Sequence, residues 1–146
     1  MRIYFEMCSL QRPLDDKTQL RVLLEAQAVL AVLALCESGM AETVASDVLV
    51  FECDANPNAS RRDFADRLIA KATHFIRLSP QIEANAQSLI DAGIKTMDAL
   101  HLASAVAANA SYFCTCDDRF LKKARSLDTM LTKVVSPLEL ASELQI

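Results

Sequence analysis

Two rhythms of apolar and polar positions alternate along the chain. Short apolar blocks recur at Arg2–Phe5, Thr43–Ala45, Phe75–Leu78, Tyr112–Thr115 and Leu131–Val135, and each predicts a strand. Between them the apolar positions fall at helical spacing. Leu20, Leu24, Ala28, Ala31 and Leu35 mark a long helix over Thr18–Ser38, with Gly39 at its C-terminal end. Ser46 is positioned to cap a helix containing Val48, Leu49, Phe51 and Glu52, which stops before Asn56-Pro57. Ser60 followed by Asp63 predicts the cap of the next helix, whose stripe is Phe64, Leu68 and Ala72. Ser79-Pro80 opens another, with Ile82, Ala86 and Leu89 or Ile90 on its apolar side up to Gly93. Thr96 caps a helix over Met97–Ala108. Asp117 and Asp118 introduce a short helix or turn through Lys123, and Ser136-Pro137 with Glu139 opens a last short helix. Gln11–Asp16, with Pro13 inside it, predicts a loop.

Short apolar strands alternating with helices of ten or more residues predict an α/β fold, with a mostly parallel sheet covered on both faces. The expected organisation is a single domain over residues 1–146, of ordinary domain length. Composition narrows the picture. An apolar content of 52% excludes disorder, and two glycines with four prolines disfavour a turn-rich barrel. The longest apolar run, Ala28–Cys36, has nine residues against the roughly 20 that span a bilayer, and Glu6 interrupts the N-terminal apolar stretch too early for a leader. That run is apolar on nearly every face, which fits either a deep core position or burial against a second copy of the chain. The net charge of −4 argues against duplex binding driven by overall charge, while leaving room for a local basic face. Five cysteines, odd in number and without C-x-x-C spacing, predict mostly buried thiols in a reducing, cytoplasmic setting.

The candidate chemistry is acidic. Glu6 ends the first strand, Asp98 lies in the first turn of a helix, and Asp117 follows a strand. In an open parallel sheet those strand ends and helix starts gather at one edge, where ligands bind. Carboxylates brought together repel unless a cation joins them, and Mg2+ or Mn2+ takes such oxygen ligands while leaving positions for water and a substrate phosphate. Plainer readings stand beside this one. Glu6 can be a half-exposed charge, Asp98 a helix N-terminal stabiliser, and Asp117 and Asp118 turn residues. His101, three residues after Asp98 on an apolar helix, reads as a core or supporting residue, and His74 as structural or exposed. No glycine-rich phosphate loop is present.

The residues Ile3-Tyr4-Phe5-Glu6-Met7-Cys8 with Arg12-Pro13-Leu14-Asp15-Asp16, then Phe51-Glu52 with Asn56-Pro57, Thr96-Met97-Asp98-Ala99-Leu100-His101-Leu102-Ala103 and Thr115-Cys116-Asp117-Asp118-Arg119-Phe120, occur in that order. Together they resemble the PIN-domain nuclease family, in the branch that includes VapC-like toxins. The resemblance implies a three-layer α/β/α sandwich and a metal-dependent endoribonuclease. It implies a catalytic set of Glu6, Glu52, Asp98 and Asp117, with Glu6, Asp98 and Asp117 holding the metal. Asp118 is an implied auxiliary, and Thr115 the hydroxyl that orients the site. The family usually carries Asp where this chain has Glu6, and often Asn where it has Met7. The extra methylene carries the carboxylate about 1.5 Å outward, and about 1 Å of misplacement can cost on the order of 100-fold in rate.

RNA approaching an acidic pocket needs positive contacts. Arg61, Arg62, Arg67 and Lys71 supply one candidate stripe, and Lys122, Lys123 and Arg125 another, although solvated helix faces look the same. The resemblance further implies a homodimer and a small antitoxin partner. An alternative function is an inactive PIN-fold protein acting through protein–protein interaction. A third class is a phosphohydrolase or phosphoacceptor domain, for which only Lys95 lies near the acidic positions in sequence.

Overall fold

The computed structural model describes all of residues 1–146. Its strands are β1 (Arg2–Phe5), β2 (Glu42–Ser46), β3 (His74–Ile76), β4 (Tyr112–Cys114) and β5 (Lys133–Val135). They form one sheet in the order β3-β2-β1-β4-β5 with every neighbouring pair parallel. The helices are α1 (Met7–Leu10), α2 (Leu20–Glu37), α3 (Asp47–Asp54), α4 (Ala59–Ala70), α5 (Pro80–Asp91), α6 (Thr96–Ala107), α7 (Asp118–Arg125) and α8 (Pro137–Glu143), with a 3-10 turn at Arg12–Leu14.

The central strand shows why this is an α/β/α sandwich. Successive strand residues point to opposite faces, and Ile3, Tyr4 and Phe5 are all buried, so helices cover both sides of the sheet. Tyr4 stacks on Phe113 of β4 with ring centroids 5.3 Å apart, and Phe113 meets Phe120 of α7. The register pairs Phe5 with Cys114, which sets Glu6 and Thr115 side by side just beyond the ends of β1 and β4. The chain runs outward from β1 to β2 and β3, then returns to the other side for β4 and β5. The seam between β1 and β4 is therefore the switch point where parallel sheets open a crevice.

Most predicted boundaries agree with the structure, and Ser46, Ser79 and Ser136 each accept the backbone N–H three residues on. Several details differ. The cap of α4 is Asn58, not Ser60, because Asn58 accepts from the Arg61 N–H directly after Pro57. The buried residue of α4 is Ala65, with Leu68 and Ile69 packed beside it, and Ala72 lies past the helix end. Helix α6 begins at Thr96 itself with Lys95 at the cap position and no side-chain cap bond. Strand β5 starts at Lys133, leaving Leu131 in an exposed turn after Met130, whose φ is +54°. The four-residue helix α1, inserted between Glu6 and the 3-10 turn, has no apolar period long enough to read from sequence.

Helix α2 resolves its all-round apolar character by splitting it. Ala28, Val29, Val32 and Leu33 are buried, while Leu20, Leu24 and Leu30 stay exposed on the outer side. No helix is long and apolar enough to cross a membrane. Of the five cysteines, all free, only Cys53 and Cys114 are buried, which corrects the expectation of mostly buried thiols.

Candidate active site

Glu6 is only 6% exposed, an unusual place for a carboxylate. It leaves the sheet through its N–H, which donates to the Cys114 carbonyl at 3.0 Å, and its own carbonyl receives Ser9 and Leu10 to start α1. The Thr115 hydroxyl donates to Oε2 of Glu6, and the Asp117 N–H donates to the same hydroxyl oxygen at 3.1 Å. Thr115, itself buried, thus links the Glu6 carboxyl to the backbone of Asp117. Burial pushes the Glu6 carboxyl up to about 11, with Cys8 and the Asp98 carboxylate adding to the shift and Thr115 opposing it. The Cys8 thiol donates to Oε2 of Glu6 at 3.4 Å and accepts from the Cys116 N–H at 3.4 Å; the neighbouring Cys116 thiol raises its pKa. Asp98, half-buried in the first turn of α6, reaches Glu6 from the helical side.

Glu52 enters from α3. His101 of α6, fully buried, places Nε2 at 2.9 Å from Oε1 of Glu52. Its Nδ1 is 2.6 Å from the Tyr4 hydroxyl, which lies 2.7 Å from Oγ of Ser46. The Tyr4 hydroxyl is pushed up mainly by burial, with the charges of both Glu52 and Glu6 contributing. Glu6, Glu52 and Asp98 therefore lie around the carboxyl ends of β1 and β2, with Thr115 joined to the backbone of Asp117, whose carboxylate faces outward. The sequence singled out His101 and the Ser46 cap separately; nothing in the spacing linked them.

Asp117 caps α7 by accepting from the Phe120 N–H at 3.1 Å and is otherwise exposed. Asp118 points away toward α2, where Arg21 grips it with two hydrogen bonds of 2.7 and 2.6 Å. That contact ends an alternating chain of charges. Arg61 meets Asp15 at 2.8 Å, Asp15 meets Arg12 at 2.9 Å, Arg12 meets Glu25 at 2.8 Å, and Glu25 meets Arg21 at 3.5 Å. Glu25 is 1% exposed, so Arg12 is its required counter-ion. None of this chain apart from Asp118 and Arg61 was read from the sequence as functional.

The predicted basic stripes divide in the same way. Arg61 is held by Asp15, Arg62 donates to the Asn56 carbonyl at 2.6 Å, Lys71 pairs with Glu37 at 2.5 Å, and Arg125 pairs with Glu139. Arg67, Lys122 and Lys123 are exposed with no carboxylate in ion-pair range. Only one trio of potential ligand atoms lies within 4.8 Å of one another, Cys53, Asp54 and Asp66, at the C-terminal end of α3. There burial pushes the Cys53 thiol up to about 11, and it donates to Asp66 at 3.3 Å, which makes the group a hydrogen-bonded corner. Glu6, Asp98 and Asp117 are more loosely spaced than that trio. An apolar recess between α2, β2 and α4, lined by Leu33, Val44, Leu49, Leu68 and Ile69, contains none of the four acids.

A fully parallel five-stranded sheet with a buried acid, Glu6, at its switch point places this chain among α/β proteins whose ligand crevice lies at the carboxyl edge of the sheet. The family model described as PIN domain matches residues 9–126, and the chain belongs to that family. The fold is also similar to a chain in the crystal structure of VapBC2 from Rickettsia felis bound to a DNA fragment from their promoter. The TM-score is 0.61 and the identity 13%, over 92% of this chain and 99% of that chain. No curated protein matches the chain.

Proposed function

We propose that this protein is an Mg2+- or Mn2+-dependent endoribonuclease that hydrolyses RNA phosphodiester bonds as the toxin of a toxin–antitoxin pair. The observation that carries the reading is the Glu6–Asp98 pair. Two carboxyl groups meet at the switch point of the sheet, one of them buried and pushed up to about 11. A proton relieves their repulsion in the metal-free chain, and a hard divalent cation relieves it better, so the donor set fits such an ion. PIN membership and the toxin–antitoxin complex with the similar fold support the family context.

Glu6 and Asp98 would hold the ion, with Asp117 at the exposed rim and Glu52 completing the acidic pocket. When bound, the ion supplies charge neutralisation at phosphorus and lowers the pKa of a nearby water. Thr115 holds the Glu6 carboxyl and the backbone N–H of Asp117. Asp118, gripped by Arg21, braces the start of α7. Lys122 and Lys123, unpaired on α7, and Arg67 on α4 meet the RNA backbone. The exposed outer face of α2, with Leu20, Leu24 and Leu30, fits a second copy of the chain, and the antitoxin acts on that dimer in the cytoplasm.

The test is cleavage of labelled RNA by the purified protein with Mn2+. Absence of cleavage, restored by neither Glu6→Asp nor Met7→Asn, overturns the nuclease reading. A second reading, an inactive PIN-fold interaction protein, draws on the longer Glu6 side chain and the buried, apolar Met7 beside it. Calorimetry separates the two, because a dead site binds Mn2+ weakly and without dependence on Asp98.

A further inference from the structure

The bonds around His101 close on themselves. Ser46 caps α3, Glu52 lies six residues further along the same helix, and between them run Tyr4 of β1 and His101 of α6. We propose that His101 is a positioning residue whose Nε2–H fixes the Glu52 carboxylate, within a hydrogen-bonded ring that begins and ends on α3. This inference deepens the nuclease reading and rests on it for its catalytic consequence.

The ring has one self-consistent direction. Ser46 Oγ already accepts from the Leu49 N–H at 3.1 Å, and the Tyr4 oxygen is the one acceptor in range of its hydroxyl proton. Tyr4 then donates to Nδ1 of His101, which leaves the ring proton on Nε2, aimed at Glu52. Reversed, the ring would need a protonated Glu52 and would strand the Ser46 proton without an acceptor. Ser46, Tyr4 and His101 are each 0% exposed, so a stranded donor there is costly. Ordered in this way, the ring aims the Nε2–H of His101 at Oε1 of Glu52 and ties α3 to β1 and α6. A carboxylate on a helix of eight residues gains its direction from that third support.

Two measurements test it. With only two histidines in the chain, 15N-labelled protein at neutral pH without metal reports which nitrogen of His101 carries the proton. A proton on Nε2 alone is expected; a proton on Nδ1, alone or with one on Nε2, overturns the ring. The second measurement compares His101→Gln, whose amide nitrogen takes the place of Nε2, with His101→Asn, which reaches only the place of Nδ1. Asn should lower kcat by about 10- to 100-fold with little change in KM, and Gln should recover about tenfold of that loss. Equal rates for both variants and the parent overturn the positioning role. If the parent itself cuts no RNA, the nuclease reading falls, and the ring is then decided by the protonated nitrogen in the parent alone. The same readout decides if neither variant folds.

Discussion

The hydroxyl of Thr115 and the carboxyl of Glu6 meet across the seam between β4 and β1, 109 residues apart in the chain. Thr115→Val keeps the shape and removes both the donor to Glu6 and the acceptor of the Asp117 N–H. Stability should fall by about 1–3 kcal/mol in urea titration, and cleavage with Mn2+ by at least about tenfold. A variant as active and as stable as the parent would show that this contact organises nothing.

The raised pKa of Glu6 makes a signed prediction about pH. Burial, with Cys8 and Asp98, holds the folded-state value near 11 against an ordinary 4.5. The folded chain keeps a proton that the unfolded chain releases above 4.5. Its contribution is thus fully present below 4.5 and is lost as pH rises toward 11. Glu6→Gln abolishes that slope. In metal-free buffer at about pH 8 the variant should melt on the order of 5 °C above the parent, with the gap shrinking as pH falls toward about 5. Excess Mn2+ should raise the melting temperature of the parent and leave the variant nearly unmoved.

Arg12 neutralises the buried Glu25 and also anchors Asp15. Arg12→Met leaves Glu25 with only the 3.5 Å contact to Arg21. The expected loss is about 3 kcal/mol by chemical denaturation, since an uncompensated buried charge remains. The double variant Arg12→Met, Glu25→Leu should recover most of it. A single variant within experimental error of the parent would mean that Arg21 suffices as counter-ion.

Lys122 and Lys123 lack carboxylate partners, unlike Lys71 and Arg125. Replacing both by Gln should weaken RNA binding at low salt and reduce the slope of log affinity against log salt by about 1.4, or about 0.7 for each lost contact to a single strand. An unchanged slope removes α7 from the RNA path.

The outer face of α2 predicts association. Leu30 is 49% exposed beside Ala34 and Phe64, and Leu30→Lys should convert a dimer to a monomer in sedimentation at micromolar concentration. A parent that sediments as a monomer contradicts the proposed pairing.

Much of the fold was legible because the local signals agreed with the tertiary result. Ser46, Ser79 and Ser136 cap the helices that they precede, and both glycines have positive φ just beyond helix ends. Asn58 displaced Ser60 because two good caps stood two residues apart, and only the path of the chain after Pro57 chooses between them. At the site, positions at strand ends were readable, whereas directions were not. Asp117 and Asp118 are neighbours in sequence, yet one caps α7 beside Thr115 and the other turns to Arg21. The pairing of His101 with Glu52 spans 49 residues, and that of Arg21 with Asp118 spans 97, so no periodicity within a single helix encodes either.

The strand order also dictates when the acidic pocket comes into being. A growing polypeptide that has emerged from the ribosome through α5 already has β1, β2 and β3 with Glu6 and Glu52, but lacks Asp98, His101 and Thr115. Because β4 inserts beside β1, the pocket closes only after β4 has emerged. A copy cut short before α6 carries Glu6 and Glu52 but neither Asp98 nor Asp117, and so holds two of the four acids.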